Sequence, residues 1–217
     1  IESSYQSSIA TIWKDRVAKH QEYTAKIPFS DFKVFDFICQ NVPKNSQLQV
    51  SNSSAIRYLQ LFDLDKSIQV FCNRGTSGID GSTSTAIGAA LATNLPTILI
   101  TGDISFLYDS NALWNNYIPK NFKIILLNNS GGGIFRILPG HQETETFNRY
   151  FETSHQLNAS HLAKMYGFDY FEANDEATLQ QQYKSFLNQN EKPSILEIFT
   201  PEKENNGILL EFFRRLK

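Results

Sequence analysis

Short runs that are apolar nearly throughout, interleaved with helix-patterned segments, constrain this chain more than any other feature. "TILITGD" (97–103), "FKIILLNN" (122–129) and "SILEIFT" (194–200) do not alternate between apolar and polar residues. A strand that is apolar on both sides belongs inside a parallel sheet covered on both faces. "LQVSN" (48–52), "SIQVFCN" (67–73) and "FDYFEA" (168–173) supply three further strand candidates, each bounded by turn residues. Between the strands lie segments that pattern as helices. One runs around 3–25 and ends before Pro28. Another follows Ser30, an N-cap residue type, and puts Phe32, Phe35 and Cys39 on one face. Further helices are predicted over "SAIRYLQLF", 81–94, "SNALWNNY" (110–117), 158–166 and 175–189, with a Glu- and Thr-rich loop at 140–156. The alternation predicts an α/β fold: a doubly wound, mostly parallel six-stranded sheet with helices on both faces.

Residues 1–29 read as a linker helix from a preceding domain, and 30–217 as the sheet domain itself. The start without methionine and the unpaired polar helix suggest a piece of a longer chain. Composition narrows the partners. A net charge of −2 offers no basic surface for nucleic acid or anionic lipid. Two cysteines without paired spacing, Cys39 and Cys72, fit a reduced, cytoplasmic setting. No apolar run reaches membrane-spanning length, and no signal-peptide pattern precedes the domain. With 13% aromatic residues and 17 Phe, the chain has ample material for a packed core.

In open α/β sheets ligands bind beyond the carboxyl ends of the strands, near the point where strand order reverses. Four such ends carry the unusual residues: "SNSS", "NRGTSGIDG" (73–81), "GDIS" and "NNSGGGIF". Gly102 allows a tight turn off its strand, and Asp103 sets a carboxylate where a helix begins. A helix N-terminus favours phosphate, which a carboxylate would repel unless a divalent cation lay between them. Taken alone, Asp103 reads better as a helix cap than as a ligand. Asn129 follows Asp103 by 26 positions, one helix and one strand later, a separation that sets two neighbouring strand ends side by side. Carboxylate and amide oxygens are hard ligands suited to Mg²⁺ or Mn²⁺, and the turn at Gly131 can add a backbone carbonyl. By itself, "NNSGGG" is a flexible turn.

With these residues in view, "GDIS…NNSGGGIF" resembles the diphosphate motif of thiamine-diphosphate enzymes. Adding "SNSSAIR", "NRGTSGIDG" and "GGGIFRILP", the chain is similar to the C-terminal domain of the 2-succinyl-5-enolpyruvyl-6-hydroxy-3-cyclohexene-1-carboxylate synthase family, transferases of menaquinone biosynthesis. The similarity runs through 48–140 with strong motifs, and more weakly elsewhere. The resemblance implies thiamine diphosphate and Mg²⁺ as cofactors. Asp103, Asn129 and the Gly131 carbonyl would hold the metal. Gly102, Ile104, Ser105 and Ser77 would line the cofactor, with Ser105 and neighbouring N–H groups on phosphate oxygens. Ile79 would wedge between the two rings of the cofactor. The family decarboxylates 2-oxoglutarate and adds the remaining unit to isochorismate. Arg57 and Arg74 would therefore bind carboxylates through their planar forks, with Ser53 one helical turn before Arg57. Ile134, Phe135 and Leu138 would form an apolar wall for the isochorismate ring, and Ile134 would also touch the cofactor. Without the family, Arg57 reads as readily as a solvated helix residue and Arg74 as a structural salt bridge, Ile79 reads as core, and Ile134, Phe135 and above all Leu138 compete as ordinary core packing.

The family activates its cofactor with a glutamate on an N-terminal pyrimidine-binding domain, usually supplied by the partner subunit of a homodimer or tetramer. No segment here corresponds to that domain. The chain alone is expected to be inactive, and to leave Ile79, Ile134 and Phe135 exposed. His20, His141, His155 and His161 lack ligand spacing and read as surface or loop residues. Two other readings compete. An acetolactate synthase or 2-oxoacid decarboxylase would not need two carboxylate-binding arginines. A dinucleotide-binding domain would want a Gly-x-Gly-x-x-Gly turn that "VSNSSAIR" does not supply.

Overall fold

The computed structural model describes residues 3–216. Six strands, β1 (Gln47–Val50), β2 (Gln69–Cys72), β3 (Thr97–Gly102), β4 (Lys123–Asn128), β5 (Asp169–Ala173) and β6 (Ser194–Phe199), form one sheet in the order β2-β1-β3-β4-β6-β5. Every pairing is parallel, so the sheet is wholly rather than mostly parallel. The chain leaves β1 in one direction for β2 and returns on the other side as β3. The order therefore reverses between β1 and β3. Gly102 pairs with Leu127, which sets Asp103 and Asn129 just beyond adjacent strand ends, as their spacing predicts.

Successive residues of the inner strands enter two separate cores, the signature of a sheet covered on both faces. Ile98, Ile100, Ile125, Leu127, Leu196 and Ile198 pack on one side with Phe32, Phe35, Tyr58 and Phe186. Leu99, Ile124, Leu126 and Ile195 pack on the other with Ile87, Phe106, Leu113 and Phe122. Each such fully buried aliphatic side chain contributes about 1.5–3 kcal/mol.

The helices are α1 (Ser4–Lys26), α2 (Asp31–Asn41), α3 (Ser54–Leu59), α4 (Ser82–Leu91), α5 (Asp103–Tyr108), α6 (Ile134–Ile137), α7 (Ser160–Tyr166), α8 (Glu176–Asn188) and α9 (Asn205–Arg215). Ser30 caps α2, accepting from the Lys33 N–H, and Phe32, Phe35 and Cys39 are buried together as their spacing predicts. Two local expectations are corrected, and two unpredicted helices appear. A helix begins at Asp103, as expected, but "SNALW" is a 3₁₀ turn (Ser110–Trp114). The short α6 is present at 134–137, and the expected loop at 140–156 contains a π-helical stretch, Phe147–Glu152. Helix α9, whose Leu209 and Phe212 reach the core, follows the last strand. None of the described helices is long and apolar enough to cross a membrane.

Candidate active site

The strand ends that flank the reversal point enclose a cavity of about 270 Å³. Asn52 and Ser53 enter it from the end of β1, Gly102–Ser105 from β3 and α5, and Asn129 and Gly131–Phe135 from β4 and α6. Ile79 closes a further side, and Tyr150 and Phe151 of the π-helical stretch complete the wall. Two residues of the cavity wall, Ser53 (φ 72°) and Thr153 (φ 50°), hold positive φ without being glycine, as does Ser130 (φ 65°) between Asn129 and Gly131. Conformations of this kind persist where the surroundings over-determine them, typically at ligand-holding sites.

Asn52 organises the loop that carries Ile79. Its amide nitrogen donates to the carbonyls of Asn73 and Gly78, while its Oδ1 accepts from Arg74 Nη1 at 3.3 Å. The Ser105 hydroxyl donates to the Ile79 carbonyl at 2.5 Å, tying that loop to α5. Ile79 thereby stands half-buried at the cavity edge rather than in the core.

Asp103 is 5% exposed. Its Oδ1 accepts from the Ile104 N–H at 2.7 Å and its Oδ2 from the Gly131 N–H at 2.9 Å, so it joins the β3 and β4 ends directly. In this arrangement the Ile104 N–H and the Ser105 hydroxyl, both expected to face phosphate, bond to the protein itself. Gly131 has φ 154°, and a Cβ there would stand 2.7 Å from the Glu152 carbonyl oxygen. Gly132 donates to that same oxygen at 2.6 Å. Glu152 is held by a buried bidentate pair with Arg136, so the glycine turn rests on a fixed support.

Two groups that the sequence reading left out contact the candidate metal ligands. Asp31, the first residue of α2, accepts from Asn129 Nδ2 at 2.9 Å and from the Thr200 hydroxyl at 2.6 Å. Burial pushes its carboxyl up to about 6, against those two hydrogen bonds. His155 brings Nε2 to 3.3 Å from Asp103 Oδ2, an electrostatic contact rather than a well-aligned hydrogen bond. Its Nδ1 accepts from the Leu157 N–H, which leaves the ring proton on Nε2. The Asp103 contact raises the His155 pKa above its ordinary value. Neither residue had a local signal: Asp31 reads as an ordinary first-turn acid, and His155 as one histidine in a polar loop.

Several expected site residues stay off the cavity wall. Arg57 is exposed and donates to the Ser53 carbonyl at 2.9 Å. Arg74 and Ser77 lie in the exposed loop after β2, and Leu138 is 48% exposed beyond α6. Arg57 and Arg74 each touch a wall residue through the side chain, Arg57 the Ser53 carbonyl and Arg74 the Asn52 amide oxygen.

The oxygens facing the cavity fit a hard cation. Asp103 is a buried carboxylate. The Asn129 amide has its nitrogen end committed to Asp31, while its Oδ1 takes no hydrogen bond from a described residue. Among the described residues no cluster of three His, Cys, Asp or Glu side chains stands ready for a metal. A cation here would complete its shell from amide, carbonyl and ligand oxygens, the preference of Mg²⁺.

Comparison with known proteins decides the family. The sequence model described as "Thiamine pyrophosphate enzyme, C-terminal TPP binding domain" matches residues 52–198, which contain every strand end lining the cavity. The chain belongs to that family. Proteins named 2-succinyl-5-enolpyruvyl-6-hydroxy-3-cyclohexene-1-carboxylate synthase resemble this TPP-binding domain along its length. That of Flavobacterium johnsoniae is 63% identical over 216 residues, covering 100% of this chain and 39% of the relative. That of Flavobacterium psychrophilum is 65% identical over 216 residues, with the same coverage of each. That of Bacteroides fragilis is 41% identical over 194 residues, 88% of this chain and 35% of the relative. The chain thus spans 39% of the length of the first two relatives. The matched residues contain the cavity-lining strand ends on both sides of the reversal point, with Asp31 and Phe35 of α2 joining the wall from outside the match.

Proposed function

We propose that this domain grips the diphosphate of thiamine diphosphate through Mg²⁺ in a carboligase of menaquinone biosynthesis. That enzyme decarboxylates 2-oxoglutarate and joins the remaining four-carbon unit to isochorismate. The observation that carries this reading is the single cavity shared by Ile79, Asp103, Asn129 and Gly131 at the reversal point of a TPP-family sheet. Asp103, Asn129 and the Gly131 carbonyl are the metal ligands, with Gly102, Ile104 and Ser105 beside the phosphates. When bound, thiamine diphosphate supplies the carbon nucleophile and electron sink that loss of CO₂ from a 2-oxoacid requires.

The protein's own contribution is placement. Ile79, braced by Ser105 and through Gly78 by Asn52, would press its side chain against the bound cofactor. Arg74, oriented on Asn52, and Arg57, folded back on Ser53, recognise carboxylates. Ile134, Phe135 and Leu138 receive the ring of the acceptor. The complete protein is a cytoplasmic homodimer or tetramer whose partner supplies the activating glutamate.

The test is Arg74→Lys in the full-length enzyme. Charge is kept but the bidentate fork is lost, so KM for 2-oxoglutarate rises while calorimetric thiamine diphosphate affinity stays put. Equal loss of both would assign Arg74 to the cofactor or the fold instead.

A further inference from the structure

Asp31 is only 2% exposed, yet it is not enclosed by its own helix. Ser30, not Asp31, caps α2. The Asp31 backbone N–H donates to Asn205 Oδ1 at 2.9 Å, and Asn205 Nδ2 reaches the Pro201 carbonyl at 2.8 Å and Thr200 Oγ1 at 3.5 Å. Thr200 gives its hydroxyl to Asp31 Oδ1. The start of α2, the end of β6 and the start of α9 thus converge on one residue, whose carboxylate takes the Thr200 hydroxyl. Its second oxygen is spent on the amide of Asn129. A helix-dipole role explains the sign of the charge at position 31. It does not explain why a buried carboxylate, costly to desolvate, is built against a side-chain amide on the wall of the cavity.

An asparagine amide has two ends of nearly equal shape, one a donor and one an acceptor. Only hydrogen-bond partners decide which end faces where. We propose that Asp31 is a positioning residue for Asn129: an acceptor-only carboxylate takes the Nδ2 end and leaves Oδ1 for a hard cation in the cavity. The proposal rests on reading that cavity as a Mg²⁺–diphosphate site. It adds that the orientation of one ligand is set by a residue 98 positions away in sequence.

The experiment uses the full-length protein with Asp31→Asn, Asn129→Asp and the exchanged pair that carries both substitutions. Calorimetry gives the Mg²⁺ concentration that half-saturates thiamine diphosphate binding, and thermal unfolding in EDTA reports the fold separately. Asp31→Asn no longer imposes one amide orientation. Its Mg²⁺ requirement rises roughly tenfold or more, the usual effect of losing a ligand's supporting partner. Asn129→Asp sets two carboxylates face to face and weakens Mg²⁺ binding as well. In the exchanged pair, the new amide on α2 donates to the new carboxylate after β4. The other oxygen of that carboxylate again faces the cation, so Mg²⁺ binding exceeds that of either single variant. A purely structural role gives no reason for that recovery. An exchanged pair that folds but binds Mg²⁺ no better than Asn129→Asp overturns the proposal. So does an Asp31→Asn protein with unchanged Mg²⁺ dependence and a wild-type midpoint in EDTA. Should Asp31→Asn not fold, the exchanged pair against Asn129→Asp carries the decision. Wild-type binding that is indifferent to EDTA is a separate failure, overturning the metal reading and with it the role given to Asp31.

Discussion

Gly131 shows how tightly single residues are specified at the cavity. Its φ of 154° lies where L side chains rarely go, and an added Cβ would meet backbone, the Glu152 carbonyl oxygen at 2.7 Å. Backbone cannot rotate away as a flexible side chain can. Gly131→Ala is therefore expected to destabilise the domain by about 1–3 kcal/mol in denaturant unfolding, the usual cost of a forced backbone conformation. It should also disturb the Asp103 contact to the Gly131 N–H. Two residues on, the same substitution meets only the Asn129 amide, its nitrogen at 3.5 Å, ordinary van der Waals contact. Gly133→Ala should stay close to wild type. Equal destabilisation of both would show that the turn is specified by chain flexibility rather than by the Glu152 contact.

At the scale of elements, β4 opens on a charge although its next four residues, Ile124 to Leu127, are aliphatic. Lys123 is 4% exposed, and its ammonium donates to the Gln189 carbonyl and Ser194 Oγ and lies 5.3 Å from the centre of the Phe186 ring. Burial pushes its pKa down to about 8, only partly opposed by Asp169. The unfolded chain holds this proton up to its ordinary pKa of about 10.4. Between those values the unfolded state binds more protons, so this group's contribution to stability rises with pH. Below the folded pKa its charged form imposes a steady penalty. Relative to Lys123→Met, wild-type stability is expected to climb as pH goes from about 8 toward about 10. Parallel pH profiles of unfolding free energy for the two proteins would refute that desolvation. The Arg136–Glu152 pair is the other element-scale device, since it anchors the π-helical stretch against the glycine turn.

Over the whole molecule, large apolar side chains are left in water both at the strand-end face and along α1. Ile79, Ile134 and Phe135 are themselves half-buried, but Tyr108, Tyr150 and Phe151 beside them on the cavity wall are exposed. Tyr5, Ile9, Ile12 and Trp13 are exposed along α1, with Trp114 and Tyr117 elsewhere. A patch of aromatic and aliphatic groups on one helix favours association. The 217-residue chain, which spans 39% of the length of its Flavobacterium johnsoniae relative, is expected to self-associate. It should bind thiamine diphosphate weakly and only with Mg²⁺, and form no product from 2-oxoglutarate and isochorismate. Turnover comparable to the full-length enzyme would show that these residues carry their own activating acid. A monomer by sedimentation would show that the α1 stripe does not mediate association.

The apolar runs alone determined the sheet, because a strand buried on both faces has no other home than a covered parallel sheet. Turn chemistry and the spacing of Asp103 and Asn129 likewise determined which strand ends meet, since one helix and one strand return the chain to a neighbouring position. The short elements were not legible. The 3₁₀ turn at Ser110–Trp114 and the π-helical stretch at Phe147–Glu152 span too few residues for a periodicity to emerge, and packing decides their form. Asp31 and His155 were illegible for a different reason. Their partners lie 98 and 52 positions away, and a contact of that reach leaves no trace in local pattern. Sequence carried what is local and periodic. Tertiary structure alone decided which oxygen of the site is held by which distant neighbour, because only the closed fold brings α2, β4, β6 and α9 to one point.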